Sequence, residues 1–311
     1  MQQPEFSTHQ LSASGSHSIP VYLWTPTGDP TAVIQVFHGL GEHSARYQRF
    51  AAAATNEGYV VCAHDHRGHG PKAAQSGFFA ADSGWDLLVN DGHKVSEFLR
   101  ERYPGKPVVL LGHSMGSYIA QSYARQFGDD LSALILSGST WPSRLLLFFG
   151  RLIARVAAWK NGVEAYSPLL DKIGFEEFNK RFEPARTELD WLSRDNAEVD
   201  AYIADPLCGG PYTIGLWNDL LGGLRGIASN RALCDIPTEL PILITGGADD
   251  PVGGARGMEQ LSARYADTGH RRLATKIYPG GRHEMLNETN RDEFTADLLR
   301  WIESALNDHQ V

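Results

Sequence analysis

Short apolar runs alternate with helical periodicity along most of the chain, and this pattern predicts the order of elements. The runs that predict buried strands are residues 32–37, 59–63, 108–111, 134–136, 241–245 and 273–278. Looser alternation over residues 6–24, broken at residues 14–16, indicates an antiparallel hairpin at a sheet edge. Ser44 is a suitable N-cap for a helix that ends at Gly58. Strands alternating with helices predict an α/β protein whose mostly parallel sheet carries helices on both faces.

One connection between predicted strands is far longer than the others. Roughly a hundred residues separate Ser137 from Pro241, well beyond an ordinary crossover. They contain helical patterns, so we expect an inserted cap over the carboxyl ends of the strands, where α/β sheets bind ligands. The sequence therefore predicts a core of residues 1–138 and 228–311 and a helical cap, or lid, of residues 139–227.

The start of this insertion is unusually apolar. Residues 145–159 are apolar on nearly every side, and Arg144, Arg151 and Arg155 share one narrow stripe of a helical wheel. Such a helix is either buried in the cap or meets lipid acyl chains at an interface. We favour burial as a pocket wall, with Leu146 and Phe149 among its side chains, and keep transient lipid contact as the alternative.

The most informative motif follows the strand at residues 108–111. Gly112-x-Ser114-x-Gly116 stands between this strand and a helical pattern, which is typical of a nucleophile elbow. Glycines flank the serine because a Cβ at either position would clash with the facing strand or helix. Such a turn lifts the hydroxyl clear of the sheet, so Ser114 is the predicted nucleophile.

A serine nucleophile needs a histidine base and a carboxylate that orients it. Asp249 and Asp250 follow the strand at residues 241–245, and His283 follows the last strand. All three positions therefore lie at the same rim of the sheet as Ser114, in the order of an α/β-hydrolase triad. We predict His283 as the base and favour Asp250 as the acid, with Asp249 as the alternative.

A tetrahedral intermediate also needs two backbone N–H donors for its oxyanion. One donor is expected at Met115, the residue after the nucleophile. The other is expected in the loop that follows the strand at residues 32–37, with the Leu40 N–H favoured.

The composition of the chain indicates which partners and which cellular compartment to expect. The net charge of -9 argues against binding to nucleic acid and against strong attraction to anionic membranes. The three cysteines form no pairing pattern and predict reduced thiols. Neither a signal peptide nor a membrane-spanning run is visible, so we expect a cytoplasmic protein.

Several longer motifs around these residues also resemble a known family. They are Phe37–Tyr47 (FHGLGEHSARY), Asp65–Gly70 (DHRGHG), Gly112–Gly116, Asp205–Cys208, Gly247–Asp250 and Arg282–Glu284. Together they resemble the monoacylglycerol lipase and lysophospholipase branch of α/β-hydrolases, which is grouped with serine aminopeptidase-like hydrolases. The resemblance implies an α/β-hydrolase fold and supports Asp250 as the acid. It further implies hydrolysis of acyl esters through an acyl-enzyme and without a cofactor. We expect a small-molecule acyl ester as the substrate, above all a monoacylglycerol or lysophospholipid-like lipid, and no metal.

Other functions are compatible with parts of the same sequence. A small-ester carboxylesterase, a peptidase or an acyltransferase would use the same triad with a different pocket. A metal-dependent hydrolase would use the cluster of His64, Asp65 and His66, together with His38 and His69. A binding protein on an inactive hydrolase scaffold is the remaining alternative, although all three triad residue types are present.

Overall fold

The strands form one sheet in the computed structural model, which describes residues 5–14 and 17–307. Their bounds are β1 Glu5–Ser12, β2 Ser18–Thr25, β3 Ala32–Phe37, β4 Tyr59–His64, β5 Val108–His113, β6 Ala133–Ser137, β7 Ile242–Gly247 and β8 Leu273–Tyr278. They lie in the order β1-β2-β4-β3-β5-β6-β7-β8. Only β1–β2 and β2–β4 pair antiparallel among them. The mostly parallel sheet and the edge hairpin are therefore confirmed, while residues 15 and 16 at its turn lie outside the described residues.

Helices cover both faces of this sheet. Their bounds are α1 Gln48–Asn56, α2 Gly84–Arg102, α3 Met115–Phe127, α4 Arg144–Asn161, α5 Pro168–Phe175, α6 Asn196–Ala204, α7 Ile214–Ile227, α8 Asn230–Leu233, α9 Gly254–Asp267 and α10 Arg291–Asn307. The period of two in β5 turns its neighbouring residues to opposite faces. Leu110 packs in the core that includes α2 and α3, whereas Val109 and Leu111 pack with α1 and α10. None of the described helices is long and apolar enough to cross a bilayer.

The predicted helix start at Ser44 is wrong. Residues Ser44–Tyr47 form a short 3-10 turn, and α1 begins only at Gln48. The Ser44 N–H donates to Asp65 Oδ1 at 2.8 Å, and the buried Ser44 hydroxyl has no hydrogen-bond partner among the described residues. This segment is therefore held against the end of β4, and its serine does not cap a helix.

The connection between β6 and β7 contains α4 to α8, and we call residues 138–241 the insertion. Its helix α7 packs against α2 and α3, so the insertion shares the apolar core on one face of the sheet. Gly223 makes this approach possible, since a Cβ there would lie 2.0 Å from Cδ2 of Trp85 on α2. The division into a core and a cap of residues 139–227 stays a prediction.

The favoured burial of α4 is wrong. Only Leu147 and Ala154 of this helix are buried. The exposed large apolar side chains of α4 are Leu145, Leu146, Phe148, Phe149, Leu152, Ile153, Val156 and Trp159. One side of α4 packs against α7, and the other side turns its apolar residues outward.

A buried ion pair joins the loop after β4 to helix α2. Arg67 donates to both carboxylate oxygens of Asp91, from Nε at 2.6 Å and from Nη2 at 3.1 Å. Both side chains are buried, so each charge depends on the other for its stabilisation.

Replacing one partner of this pair leaves the other charged and buried. We expect Arg67→Met to lower the free energy of unfolding by about 3–5 kcal/mol, measured by urea denaturation. The double variant Arg67→Met/Asp91→Leu should regain much of that loss, because no buried charge is left unpaired.

The matched control is Arg125→Met, which breaks the exposed pair of Arg125 with Asp235. It should cost only about 0–1 kcal/mol. A loss in the double variant that equals the sum of both single losses would contradict the paired-charge explanation.

Candidate active site

Ser114 lies in the sharp turn between β5 and α3. Its backbone has φ 51° and ψ −121°, a conformation that residues with a side chain rarely adopt. The flanking glycines permit the turn, since a Cβ on Gly116 would lie 2.0 Å from the Phe37 carbonyl oxygen. A Cβ on Gly112 would lie 2.5 Å from the Gly116 carbonyl oxygen. The strain is thus held in place by close main-chain packing around the serine.

Asp250 and His283 lie at the ends of β7 and β8 and form a buried hydrogen bond. His283 Nδ1 lies 2.9 Å from Asp250 Oδ2, while the other carboxylate oxygen accepts the Val252 N–H at 2.9 Å. The Asp249 carboxylate points elsewhere, because it is 46% exposed and pairs with Arg181. The structure therefore brings Asp250, and not Asp249, to His283.

The surroundings of His283 favour the protonated imidazole. Burial alone would lower its pKa, but the charge and hydrogen bond of Asp250, together with the charges of Glu284 and Glu42, raise the pKa above the ordinary histidine value. The ring lies between Trp191 and His113, at centroid distances of 5.1 Å and 4.8 Å. A histidine in this position is oriented and basic enough to accept a proton from a hydroxyl.

Ser114 and His283 line the same cavity, which has a volume of about 770 Å³. Leu40 and Met115 line it too, so the structure brings both predicted oxyanion donors to the cavity. Its other walls come mainly from α5 and α7 of the insertion and from the segments that join them.

The loop after β3 leaves one of its N–H groups available to this cavity. The Gly39 N–H donates to Glu42 Oε1 at 2.6 Å, and the Gly41 N–H donates to His69 Nε2 at 3.2 Å. Within residues 5–14 and 17–307, the N–H groups of Leu40 and Met115 have no protein acceptor. These two donors are therefore free to bind a substrate oxygen.

Two buried histidines orient the peptide groups of this loop. His38 Nε2 accepts the His66 N–H at 3.0 Å, so His38 Nδ1 carries the proton and donates to the Gly39 carbonyl at 2.8 Å. That carbonyl and the Leu40 N–H belong to one peptide unit, so the bond fixes the direction of this predicted oxyanion donor. Burial lowers the pKa of His38 to about 4 and that of His69 to about 3, so both stay neutral near pH 7. Both histidines are also among the residues that the metal-dependent alternative would use.

Residues of the insertion also form hydrogen bonds with this loop. The Gly41 carbonyl accepts the Tyr202 hydroxyl at 2.6 Å and the Gly209 N–H at 2.8 Å. Gly41 itself has φ +74°, and a Cβ there would lie 2.2 Å from the Tyr212 hydroxyl oxygen. Residues of the insertion therefore help to set the conformation of residues 38–41, which we call the oxyanion loop after the role predicted for it.

A buried cluster of charges connects the loop after β3 with the loop after β8. Arg46 donates to both carboxylate oxygens of Glu284 at 2.7 Å and 2.6 Å, and to Glu42 Oε2 at 3.0 Å. Burial alone would raise the pKa of both carboxyl groups. The Arg46 guanidinium nevertheless lowers the pKa of Glu42 to about 2 and holds the pKa of Glu284 below its usual range. Because Glu284 follows His283 directly, the cluster fixes the position of His283 relative to the loop after β3.

The residues that a metal-dependent hydrolase would use do not form a shared set of metal ligands. The Asp65 carboxylate accepts hydrogen bonds from the Ser44 N–H and the Tyr22 hydroxyl. Among the described residues, the one group whose ligand atoms lie within 4.8 Å of one another is His43, Asp205 and Cys208. His64, Asp65 and His66 therefore offer no shared metal position.

The chain is similar to known hydrolases over most of its length. The family model described as serine aminopeptidase, S33, matches residues 28–290. The chain is 29% identical to the monoacylglycerol lipase of Mycolicibacterium smegmatis, over 96% of this chain and 98% of that protein. It is 30% identical to the human monoglyceride lipase, over 90% and 84% of the two chains. The crystal structure of a thermostable carboxyl esterase from Bacillus coagulans superposes with a TM-score of 0.90, at 29% identity and with 97% and 99% coverage.

The contacts of the two aspartates predict unequal effects on catalysis. Asp250→Asn should lower kcat for p-nitrophenyl butyrate by about 10⁴, because an amide no longer fixes the productive imidazole tautomer. Asp249→Asn loses only an exposed ion pair and should change kcat by less than about threefold. The reverse ranking would assign the acid to Asp249.

The raised pKa of His283 predicts a shifted pH profile. The base must be neutral to accept a proton, so kcat/KM should fall as the pH drops through a value above about 6.5. In Asp250→Asn the imidazole should titrate at a lower pH, measured by NMR, since the largest raising influence is gone. An acid limb below the ordinary histidine value in the unaltered enzyme would contradict this electrostatic account.

Proposed function

The chain belongs to the serine aminopeptidase S33 family of α/β-hydrolases and is a serine hydrolase of carboxylic esters, and we propose that its substrates are monoacylglycerols. In the proposed reaction, Ser114 Oγ attacks the ester carbon while His283 takes the hydroxyl proton. The Leu40 and Met115 N–H groups bind the oxyanion, and Asp250 stabilises the imidazolium. His283 then returns the proton to the departing glycerol, and water repeats the sequence on the acyl-enzyme to release a fatty acid.

One observation carries this proposal: the strained Ser114 and the Asp250-bonded His283 line a single large cavity beside two free N–H donors. Strain at a side-chain-bearing residue persists only where the surrounding structure fixes it, and it is concentrated at active sites. The two relatives named above support the same class of substrate, since their names describe lipases of monoacylglycerols.

The size and walls of the cavity suit a long acyl chain. A volume of about 770 Å³ lies within the range of sites that enclose ligands far larger than acetate. The large apolar residues along its walls include Tyr118, Phe175, Phe178, Leu189, Trp191, Leu192, Trp217, Leu220 and Leu224. Each methylene of the acyl chain buried against such a wall contributes about 0.8 kcal/mol to the free energy of binding.

The charges in the cavity favour an uncharged head group. Lys172 is the only lysine or arginine among the described lining residues, and it lies 3.7 Å from Glu176. The acidic lining residues are Glu42, Asp171, Glu176, Glu188 and Glu284. A phosphodiester would meet mostly negative charge here, so the cavity supports monoacylglycerol over lysophospholipid.

We also infer that the substrate enters from a lipid surface. Helix α5 carries the cavity-lining residues Gly174 and Phe175 together with the exposed Leu169 and Ile173. The exposed apolar side of α4 belongs to the same insertion. A lid of residues 139–227 that touches lipid transiently would give acyl chains a dry path into the cavity.

The proposal predicts a strong dependence on acyl length. kcat/KM for p-nitrophenyl esters should rise by up to about fourfold per methylene from acetate toward octanoate, because each methylene is buried in the cavity. Leu224→Asn, in the cavity wall, should flatten that rise and leave acetate hydrolysis nearly unchanged. Glycerol release from monooctanoylglycerol, absent in Ser114→Ala, tests the natural linkage.

The matched control is Leu146→Asn/Phe149→Asn, on the exposed side of α4 and outside the cavity lining. It should keep the full chain-length dependence on soluble esters. A rate that is highest for acetate and falls with each methylene would refute the lipid substrate, and preferential cleavage of an aminoacyl nitroanilide would identify a peptidase.

A further inference from the structure

Three side chains of the kinds that bind metals meet at the junction between the insertion and the loop after β3. They are His43, which precedes the turn before α1, and Asp205 and Cys208, which follow α6. One ligand atom from each residue lies within 4.8 Å of the other two. The three residues lie outside the lining of the catalytic cavity. The reaction proposed for Ser114 therefore leaves this cluster without a role.

Hydrogen bonds already hold these three groups in place. His43 Nε2 lies 2.8 Å from Asp205 Oδ2, and His43 is only 6% exposed. The other Asp205 oxygen accepts the Leu207 N–H at 2.9 Å, and the Cys208 N–H donates to the Asp205 carbonyl at 3.0 Å. Because this turn fixes Cys208 beside Asp205, a bound ion would require little rearrangement of the main chain.

The charges around this cluster favour a cation. The charged groups that act on Cys208 include Arg46, Asp205, Glu42 and Glu284. Three of these groups are carboxylates and one is a guanidinium, so the surrounding charge is net negative. Burial raises the pKa of the Cys208 thiol to about 12, because a thiolate there would lose its solvation. A dication would supply the missing stabilisation, since a thiol that coordinates a metal is deprotonated outright.

The mixture of donor atoms indicates which metal would bind. A thiolate, an imidazole and a carboxylate are all common ligands of zinc. Mg²⁺ and Ca²⁺ take oxygen ligands, so a site with sulfur and nitrogen donors suits them poorly. Three protein ligands leave one position of a tetrahedral zinc ion for a water molecule.

We propose that His43, Asp205 and Cys208 bind one zinc ion that joins the insertion to the loop after β3. The ion binds Nε2 of the neutral imidazole, one Asp205 oxygen and the Cys208 sulfur, and the thiol proton is released to solvent. No step of the proposed hydrolysis passes through this ion. The inference therefore holds for whichever ester the enzyme cleaves.

Zinc at this position would strengthen an existing contact of the oxyanion loop. His43 follows Gly41 by two residues, and Cys208 directly precedes Gly209, whose N–H donates to the Gly41 carbonyl at 2.8 Å. The ion would thus connect the same two segments that this hydrogen bond connects. A ligand that binds only the folded chain stabilises it by mass action, so zinc should raise the Tm.

The test titrates Co²⁺, a spectroscopic substitute for zinc, into the full chain without an affinity tag and with its thiols reduced. One equivalent should bind and give the near-ultraviolet absorption of a cobalt–thiolate bond, and Zn²⁺ should displace it. Cys208→Ser should abolish this absorption and the rise of Tm with zinc. His43→Ala and Asp205→Asn should each lower the zinc affinity at least about tenfold, since even the loss of an outer-shell partner costs that much.

Two matched controls make the result specific. Cys234→Ser removes an exposed free thiol outside the cluster and should keep the absorption, the affinity and the rise in Tm. Asp200→Asn removes an exposed carboxylate of α6 and should leave the zinc affinity unchanged. Circular dichroism without added metal verifies that each variant is folded. If His43→Ala does not fold, the two conservative variants Cys208→Ser and Asp205→Asn decide the result.

Absence of saturable metal binding to the unaltered chain would overturn the inference. A cobalt–thiolate absorption that persists in Cys208→Ser would overturn it too, because the thiolate would belong to another cysteine. Unchanged zinc affinity in Asp205→Asn would refute the three-ligand site. Hydrolysis of monooctanoylglycerol by the metal-free chain tests the proposed substrate separately, so each proposal can fail without the other.

Discussion

The active site depends on how closely the start of α3 approaches the end of β3. Gly116 lies against the Phe37 carbonyl, at a distance that no residue with a Cβ could reach. β3 and β5 are paired neighbours, with Phe37 opposite Gly112, so the sheet register sets this approach. The same Phe37 leads into the loop that contains Leu40. One main-chain contact thus positions the strained serine and the oxyanion loop together.

The polar groups in and behind the cavity wall form a second layer of support. The Glu42–Arg46–Glu284 cluster joins the loops after β3 and β8, and neutral His38 directs the peptide that ends in the Leu40 N–H. These groups are buried, so a missing partner would leave a desolvated charge or dipole. Buried networks that are satisfied internally keep a site rigid without help from water. The positions of the site residues therefore depend on these buried hydrogen bonds and ion pairs.

The local chemistry could be predicted from the sequence because it depends on adjacent residues and on strand ends. The turn at Ser114 and the parallel sheet followed from short-range patterns, and the favoured Asp250 lies in hydrogen-bond contact with His283. The orientation of α4 could not be predicted, because a helix that is apolar nearly all round is compatible with either burial or exposure. The role of His38 was also inaccessible, since it depends on the peptide plane that its ring meets in three dimensions.

The insertion leaves the sheet at β6 and returns at the neighbouring β7, so its ends lie side by side. In principle such a segment is an exchangeable module, because its length does not disturb the strands that carry Ser114, Asp250 and His283. The bonds from Tyr202 and Gly209 to the Gly41 carbonyl limit that freedom. A transplanted lid would bring a new substrate preference, but it would also have to provide a hydroxyl and an N–H at this one carbonyl. Any replacement lid must therefore form equivalent hydrogen bonds with the oxyanion loop.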